Sequence, residues 1–548
     1  MNSPKIELPT GYYHVNFCHI LRNGLERYPD LLTSQELAFA AGFYGMPEDA
    51  QKIYIRLVSR LGPWFRSDKL KYPELASASS SLQTAHVAGY FVNETHASLD
   101  DLLDLLNLDE LKGLLKKIVG SKKGAVPSGL RKEELVVFAQ NSVSVEVLKQ
   151  ELSKIFSAFA PQHSELLKTY FLLFFGNLSQ DATEFVLQDL GVVVYEKYSL
   201  EKELRLFQTR EHIDHRLDLA TTRDEVFAFL ENAELDEALV RVKSLLARKN
   251  EMHASVHRRV CKLVNEVARG LERAQRLDEA LSLYLCSHVP PARERAVRIY
   301  AKQGFTKEAA AVAAGMLETP RDEPERQFAQ KYLKRLDEVC EPEVRTFELT
   351  RKHRRAIESQ LIEHMRGQGT PCFFTENHLW NSLFGLAFWD IIFAPVAGVF
   401  AHPFQRGPLD QYSRDFGIRR QDLLQTRVVA LREGSFGRSQ FMEVFTRKYG
   451  VANNFVFWAE GVREQVDVAL ERLTSVQLAG ILERMATDIK RYGNGFPDLF
   501  VCQPEPQNFE LWEVKGPGDT LRAEQKTWIT FFASLGIQVV LAKVVWKN

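Results

Sequence analysis

Apolar and polar positions change period along this chain. Through YYHVNFCHILRNGL and DAQKIYIRLVSRLGPWF, near the N-terminus, apolar side chains recur at three- and four-residue spacing, which predicts amphipathic helices. Residues 99–140, LDDLLDLLNLDELKGLLKKIVGSKKGAVPSGLRKEELVVFAQ, read as helix, helix, Gly-rich turn, helix. Across 216–340 the motifs LENAELDEAL, LERAQRLDEAL and YAKQGFTKEAA each place small Ala residues at helix-packing spacing after a turn. They predict a degenerate stack of helical hairpins whose role is mainly scaffolding.

Beyond about residue 345 the pattern changes. A helix is predicted over 376–393, ENHLWNSLFGLAFWDIIF, with Thr375 as N-cap and Glu376 in its first turn. After a further helical stretch, VQLAGILERMATDIKRY, the chain turns at Gly493, Asn494 and Gly495 into DLFVC, a strand. QPEPQN then connects to a second strand, FELWEVK. A helix over 521–534 and a strand over 537–545, IQVVLAKVV, complete a mixed α/β layer. Residues 383–401 are apolar enough to span a bilayer, but Asp390 in the middle and Pro395 after it favour a buried core helix ending near Phe393.

Composition narrows the function. A chain of 548 residues exceeds what one core organises, so roughly two to four domains are expected. With 45% hydrophobic and 26% charged residues it is of ordinary globular type, and a net charge of -1 excludes a uniformly basic nucleic-acid coat. Any DNA-binding surface must be local. Between Lys112 and Lys132 stand seven Lys/Arg and no acid. The six cysteines show no zinc spacing and read as reduced thiols, and with no secretory or membrane-spanning segment the expected location is cytoplasmic.

The candidate chemistry lies in the two C-terminal strands. In FELWEVK, alternation puts Leu511, Glu513 and Lys515 on one face and Trp512 and Val514 on the other. A carboxylate facing an apolar sheet environment is costly unless paired or bound to a metal. Glu513 and Lys515 can neutralise each other, which leaves Asp498, at the head of the adjacent strand, in need of a partner. Two converging carboxylates form a hard-oxygen site suited to Mg²⁺ or Mn²⁺, with the neighbouring ammonium available to orient water or neutralise a phosphoryl oxygen. The order Pro497-Asp498, then Glu513-Val514-Lys515, matches the PD-(D/E)xK signature of restriction-type nucleases in its expected strand-turn-strand setting.

The resemblance extends further. RYGNGFPDLFVC followed by ELWEVKGPGDTLRAEQKTWITFFASLGIQVVLAKVV resembles a VRR-NUC nuclease domain. Upstream, GQGTPCFFTENHLWNSLFGLAFWDIIF is similar to the segment preceding that domain in the Fanconi-anaemia-associated nuclease family, and GLRKEEL at 129–135 resembles the turn of a SAP module. The resemblance implies metal ligation by Glu376, Asp498, Glu513 and the backbone carbonyl of Val514, with Lys515 as catalytic lysine and Asp498 and Glu513 sharing the catalytic role. Gln525 and Arg491 are candidate site-lining residues. Departures matter too: Gly493-Asn494-Gly495 replaces an Arg-Gly-Gly run, which puts a phosphate contact by Arg491 in doubt, and no cysteine cluster matches the ubiquitin-binding zinc finger of eukaryotic members.

The expected organisation is multidomain α plus α/β: a helical DNA-binding region at 1–98, a SAP-like module at 99–145, a helical connector at 146–215 and TPR-like repeats at 216–345. A restriction-endonuclease-like nuclease domain follows at 346–548, its VRR-NUC core at about 430–548. Lys116, Lys117, Lys122, Lys123, Arg131 and Lys132 are expected to hold duplex phosphates. The resemblance implies a Mg²⁺- or Mn²⁺-dependent nuclease acting near the 5′ end of flaps and branched DNA, as 5′-flap endonuclease and 5′-3′ exonuclease, in interstrand cross-link repair. Its rivals are a Holliday-junction-resolvase-like enzyme and a catalytically dead DNA-binding scaffold. No membrane partner is expected, and the oligomeric state is left open with a monomer as the expectation.

Overall fold

The computed structural model describes residues 11–60, 62–120, 129–178, 193–334, 341–350, 356–376, 378–505 and 508–547. Two compact units divide the chain, residues 1–192 and 193–548. The boundary falls inside the stretch expected to be a helical connector.

In the first unit, helices Tyr12–Arg27, Ser34–Gly45 and Glu48–Val58 bury Phe17, Phe39, Phe43 and Tyr54 in an aromatic core. The helical reading near the N-terminus misses two short strands, β1 (Phe65–Arg66) and β2 (Phe91–Asn93), which pair antiparallel to β3 (Ala158–Pro161). Their partner lies far along the chain, so no local periodicity marks them. Helices Leu99–Asp104, Leu108–Val119 and Lys132–Ser142 follow the predicted order, joined by Val145–Ser153 around a core of Leu102, Leu103, Leu111, Leu115, Leu135 and Leu148. Ser98 with Asp101, and Asn107 with Glu110, form reciprocal caps that start the first two of these helices.

The second unit opens with helices Arg210–Glu231, Leu235–Ala247, Ala254–Arg273, Leu277–Cys286, Ala292–Lys302, Thr306–Glu318 and Glu323–Tyr332. The three repeated motifs are one turn used three times. Ala233, Gln275 and Gly304 occupy the left-handed region, at φ 60°, 62° and 86°. The next residue's N–H donates back to Phe229, Leu271 and Tyr300 respectively, closing the helix in a Schellman-type turn. Ala238, Ala280 and Ala309, at the same place in each motif, are fully buried, where a small side chain lets the paired helices approach.

The C-terminal layer is a five-stranded sheet of β4 (Glu343–Leu349), β5 (Cys372–Phe374), β6 (Leu499–Cys502), β7 (Phe509–Lys515) and β8 (Val539–Trp546), in the order β4-β8-β7-β6-β5. β8 runs parallel to both β4 and β7, while β6 is antiparallel to both β7 and β5. The two outer strands β4 and β5 join the strands read from the sequence. Leu499, Val501, Trp512 and Val514 face helix Ile357–Gly367, and Phe500, Cys502 and Leu511 face a larger core containing Trp380, Leu482, Trp528 and Phe532.

The apolar run at 383–401 is not one helix. Helix Leu379–Ala387 ends at Phe388, a short helix Trp389–Ile392 follows, and Asp390 turns outward to pair with Arg427 at 2.8 Å. Among the described residues no helix is long and apolar enough to cross a membrane.

Because Ala233 holds a left-handed conformation that costs a residue with a Cβ about 1 kcal/mol, Ala233→Gly is expected to raise stability by about 0.5–1 kcal/mol, visible as a higher urea midpoint with unchanged slope.

Candidate active site

The site is built along one line of strand register. Leu499 pairs with Trp512 and Phe374 with Leu499, so the next step along the same ladders sets Thr375, Asp498 and Glu513 side by side on one face. β6 ends there. In place of a strand carbonyl, Asp498 Oδ2 accepts the Val514 N–H at 2.8 Å. On its other side the Thr375 N–H donates to the Asp498 carbonyl at 2.8 Å, and the Thr375 hydroxyl donates to the Pro497 carbonyl at 3.1 Å. Thr375 is therefore not the helix N-cap expected from the sequence. The helix begins later, at Leu379, and Thr375 is a buried tie that brings Glu376 to the carboxylate pair.

Glu513 is 1% exposed and Asp498 6%. Burial is the main reason both carboxyls are pushed well above the usual carboxylate range. The Glu513 charge raises Asp498 further, against the Val514 N–H, which favours the ionised form. On Glu513 the hydrogen bond and charge of Lys515 pull downward without reversing the effect of burial. The charge of Glu376 opposes ionisation at both. Lys515 Nζ lies 2.8 Å from Glu513 Oε1, which also accepts the Gln525 side-chain amide.

Among the described residues Glu513 Oε2 is buried with no hydrogen-bond partner. An orphaned carboxylate oxygen beside a second carboxylate, in a pocket that disfavours the ionised form of both, is what a divalent cation with a preference for oxygen would satisfy. Extended residues turn their N–H and C=O to the same side, so the Val514 carbonyl faces the Asp498 side as well. Among the described residues no three Asp, Glu, His or Cys side chains converge at ligand distance. Glu376, half-buried, stands near enough for its charge to bear on both carboxyls.

The loop entering β6 is pinned from both sides. Gly495 has φ 83°, and a Cβ there would lie 2.9 Å from the Glu524 Cβ, so the position needs glycine on two counts. The Trp528 indole N–H donates to the Asn494 carbonyl at 3.0 Å, and Phe496 packs between Trp528 and Trp380. Helix Ala523–Ser534 thereby presents Gln525, whose Oε1 accepts the Arg522 N–H at 2.9 Å while its amide reaches Glu513. Gln525 is buried in the site, where a helix-surface glutamine is the default from sequence.

Arg491 lies elsewhere. It sits in the short helix Ile489–Tyr492 and lines a cavity of about 90 Å³ with Asp322, Asp488 and Arg414. Among the described residues it makes no hydrogen bond or ion pair with Glu376, Asp498 or Glu513. The basic candidates belong to the first unit. Lys117 pairs with Glu151 at 2.8 Å and Lys132 donates to the Asp104 carbonyl at 2.7 Å, while Lys116 and Arg131 are exposed. Lys122 and Lys123 lie outside the described residues. Reading by motif also misses the tie that Thr375 makes to β6, the charge of Arg522 near Glu513, and Glu358, whose charge bears on Asp498. The first leaves no mark, because its role exists only once β5 pairs with β6.

The VRR-NUC domain family matches residues 437–546, and the family described as "FAN1, HTH domain" matches residues 11–92. The Fanconi-associated nuclease 1 homolog of Pseudomonas aeruginosa is 32% identical over 560 aligned residues, spanning 100% of this chain and 98% of that protein. This chain belongs to the Fanconi-associated nuclease family. The Arabidopsis thaliana homolog is 24% identical over 98% of this chain and 67% of its own length. The crystal structure of paFAN1 bound to a 2-nt 5′ flap DNA with a gap superposes with a TM-score of 0.80 at 30% identity, covering 100% of both chains. That likeness confirms the helical N-terminal region followed by a mixed-sheet nuclease domain. A Fanconi-associated nuclease with a core of this kind implies a divalent cation, and the orphaned Glu513 oxygen beside Asp498 fits one.

Raised carboxyl pKa values have a definite sign for stability. In the metal-free protein they favour folding while protonated, so stability present in the acid range is lost as pH rises through the raised folded-state values. With a chelator present, Asp498→Asn is expected to melt above the parent protein at pH 8, by on the order of 1–3 kcal/mol, with the difference shrinking at pH 5 as the unfolded-state value is approached. Thermal melts at the two pH values check this. A parent protein that melts equally at both, with no gain from the substitution, contradicts the assigned electrostatics. Gly495→Ala is expected to lower stability by roughly 1–3 kcal/mol and to reduce divalent-cation affinity measured by calorimetry, because the turn before Asp498 can no longer seat against Glu524.

Proposed function

We propose that this chain is a Mg²⁺- or Mn²⁺-dependent, structure-selective DNA nuclease that hydrolyses phosphodiester bonds near the 5′ end of flaps and branches. We place it, by family, in interstrand cross-link repair. The observation that carries the reading is the Asp498–Glu513 pair, hydrogen-bonded into the end of the ladder with Lys515 on one Glu513 oxygen and the other oxygen without a partner. The flap-bound paFAN1 structure supports the choice of substrate.

In this reading Glu376, Asp498, Glu513 and the Val514 carbonyl hold the cation, which supplies Lewis-acid neutralisation of charge on the phosphodiester. Gln525 helps hold Glu513 in place by bonding the oxygen that Lys515 also uses, which leaves the other oxygen for the cation. Lys515, held at 2.8 Å from Glu513 and nearly buried, has a fixed ammonium with which to orient the attacking water or to stabilise a phosphoryl oxygen as its charge grows. Exposed Lys116 and Arg131 are free to meet phosphates directly, whereas Lys117 and Lys132 would exchange an internal partner for DNA. Both endonuclease and 5′-3′ exonuclease cutting follow if the same site accepts interior and near-terminal phosphates.

The test is cleavage of end-labelled 5′-flap, nicked and four-way DNAs with Mg²⁺, Mn²⁺ or chelator. The flap is expected to be cut fastest, with no cutting in chelator. Faster cutting of the four-way junction favours a resolvase. Asp498→Ala and Lys515→Ala are each expected to lower cleavage by at least about 10³-fold while DNA affinity changes little, and cleavage untouched by both would mean that the chemistry is elsewhere. Lys116→Ala should reduce the slope of log affinity against log salt by about 1 if that residue meets a phosphate.

A further inference from the structure

Phe374 and His378, which flank Glu376 in the chain, form a row of rings with Phe457. His378, two residues after Glu376, has its backbone N–H directed to the Glu376 and Thr375 carbonyls at 2.8 and 3.2 Å. Its imidazole lies edge-on to Phe374 and face to face with Phe457, centroids 4.1 Å apart and planes 11° apart. Phe457 is 49% exposed although Phe455 and Val456 before it are buried. One face of its ring is covered by His378, so the exposed area lies over its remaining face and edge.

The loop bearing Phe457 is anchored tightly for a connection between helices. The Phe457 N–H donates to the Ser382 hydroxyl at 3.2 Å, and Ser382 is fully buried in helix Leu379–Ala387. One turn on, Gly385 lets the loop close against that helix: a Cβ there would lie 2.5 Å from Val456 Cγ2 and 2.9 Å from Phe455 Cβ. The same helix packs Trp380 against Phe496, just before Asp498. Phe457 and the carboxylate pair are thus positioned by one rigid element, and the ring needs no reordering to be used.

A flat, backed, partly exposed aromatic ring beside a phosphodiester-cutting centre has the chemistry of a base-stacking platform, since every nucleobase offers a π-face and the contact requires no sequence. We propose that Phe457, backed by His378, stacks on a nucleobase next to the phosphate being cut and holds that strand in register with the carboxylates. The proposal rests on the nuclease reading above and adds a positioning contact that the carboxylates and lysines do not provide. Phe457 has no ionisable proton and is about half exposed, so its removal should disturb positioning without disturbing the cation site.

The experiment uses the full chain and 5′-flap DNAs with 2-aminopurine placed singly at each position around the cut. Without cation, wild type is expected to quench one or two adjacent positions. Phe457→Ala should lose that quenching, lower kcat/KM by roughly 10-fold, spread the cut over neighbouring bonds and keep the wild-type melting temperature and cation affinity. Phe457→Trp should restore quenching and a single cut position. A Phe457→Ala protein that quenches, cuts and places the cut as wild type does overturns the platform alone. Wild type that cuts none of the DNAs with either cation overturns the nuclease reading and the platform with it.

Discussion

One register line governs the C-terminal unit. Thr375, Asp498 and Glu513 stand abreast at the point where β6 stops, and two backbone N–H groups, from Thr375 and Val514, are bound by the carbonyl and side chain of Asp498. A buried strand end normally leaves polar groups that must find partners. Here the unfinished end of the ladder is satisfied by the side chain of Asp498, which lets the fold carry a carboxyl group into its core. A one-residue slip of β6 against β7 would turn Asp498 to the opposite face and abolish the pair.

Holding that pair opposes ordinary folding preferences. Two carboxylates are sunk below the surface, where burial and the charges of neighbouring carboxylates disfavour their ionisation, and the surroundings offset the cost only in part. Lys515 and Gln525 satisfy one oxygen of Glu513 and leave its second without a partner. The rest is supplied by apolar packing on both faces of the sheet, with Trp380, Trp512 and Trp528 among the most deeply buried side chains in the molecule. Stability is contributed by the layers, which lets the centre remain electrostatically unfinished.

The helical part of the same unit uses another economy. Three turns of one geometry, with Ala233, Gln275 and Gly304 at equivalent left-handed positions, stack the hairpins through Ala238, Ala280 and Ala309. Only one of the three has the residue best suited to that backbone. Tertiary packing of the small alanines sustains the strained turns, and the hairpin repeats therefore look degenerate in sequence while remaining regular in shape.

How much of this was legible beforehand depends on the range of the interaction. Alternation along FELWEVK assigns Glu513 and Lys515 to one face, and the strand-turn-strand spacing brings Asp498 nearby, because side-chain direction in a strand is a property of the strand itself. The αα-turn motifs show for the same local reason. The pairing partners of β1, β2, β4 and β5, the tie from Thr375 and the burial of Gln525 do not, since each depends on residues distant in sequence closing at a particular offset. The sequence by itself determined which residues carry charge and which way each strand turns them. Only the tertiary structure decided which carboxylates meet and which oxygen is left over, because register and closure follow from the packing of whole layers rather than from any local period.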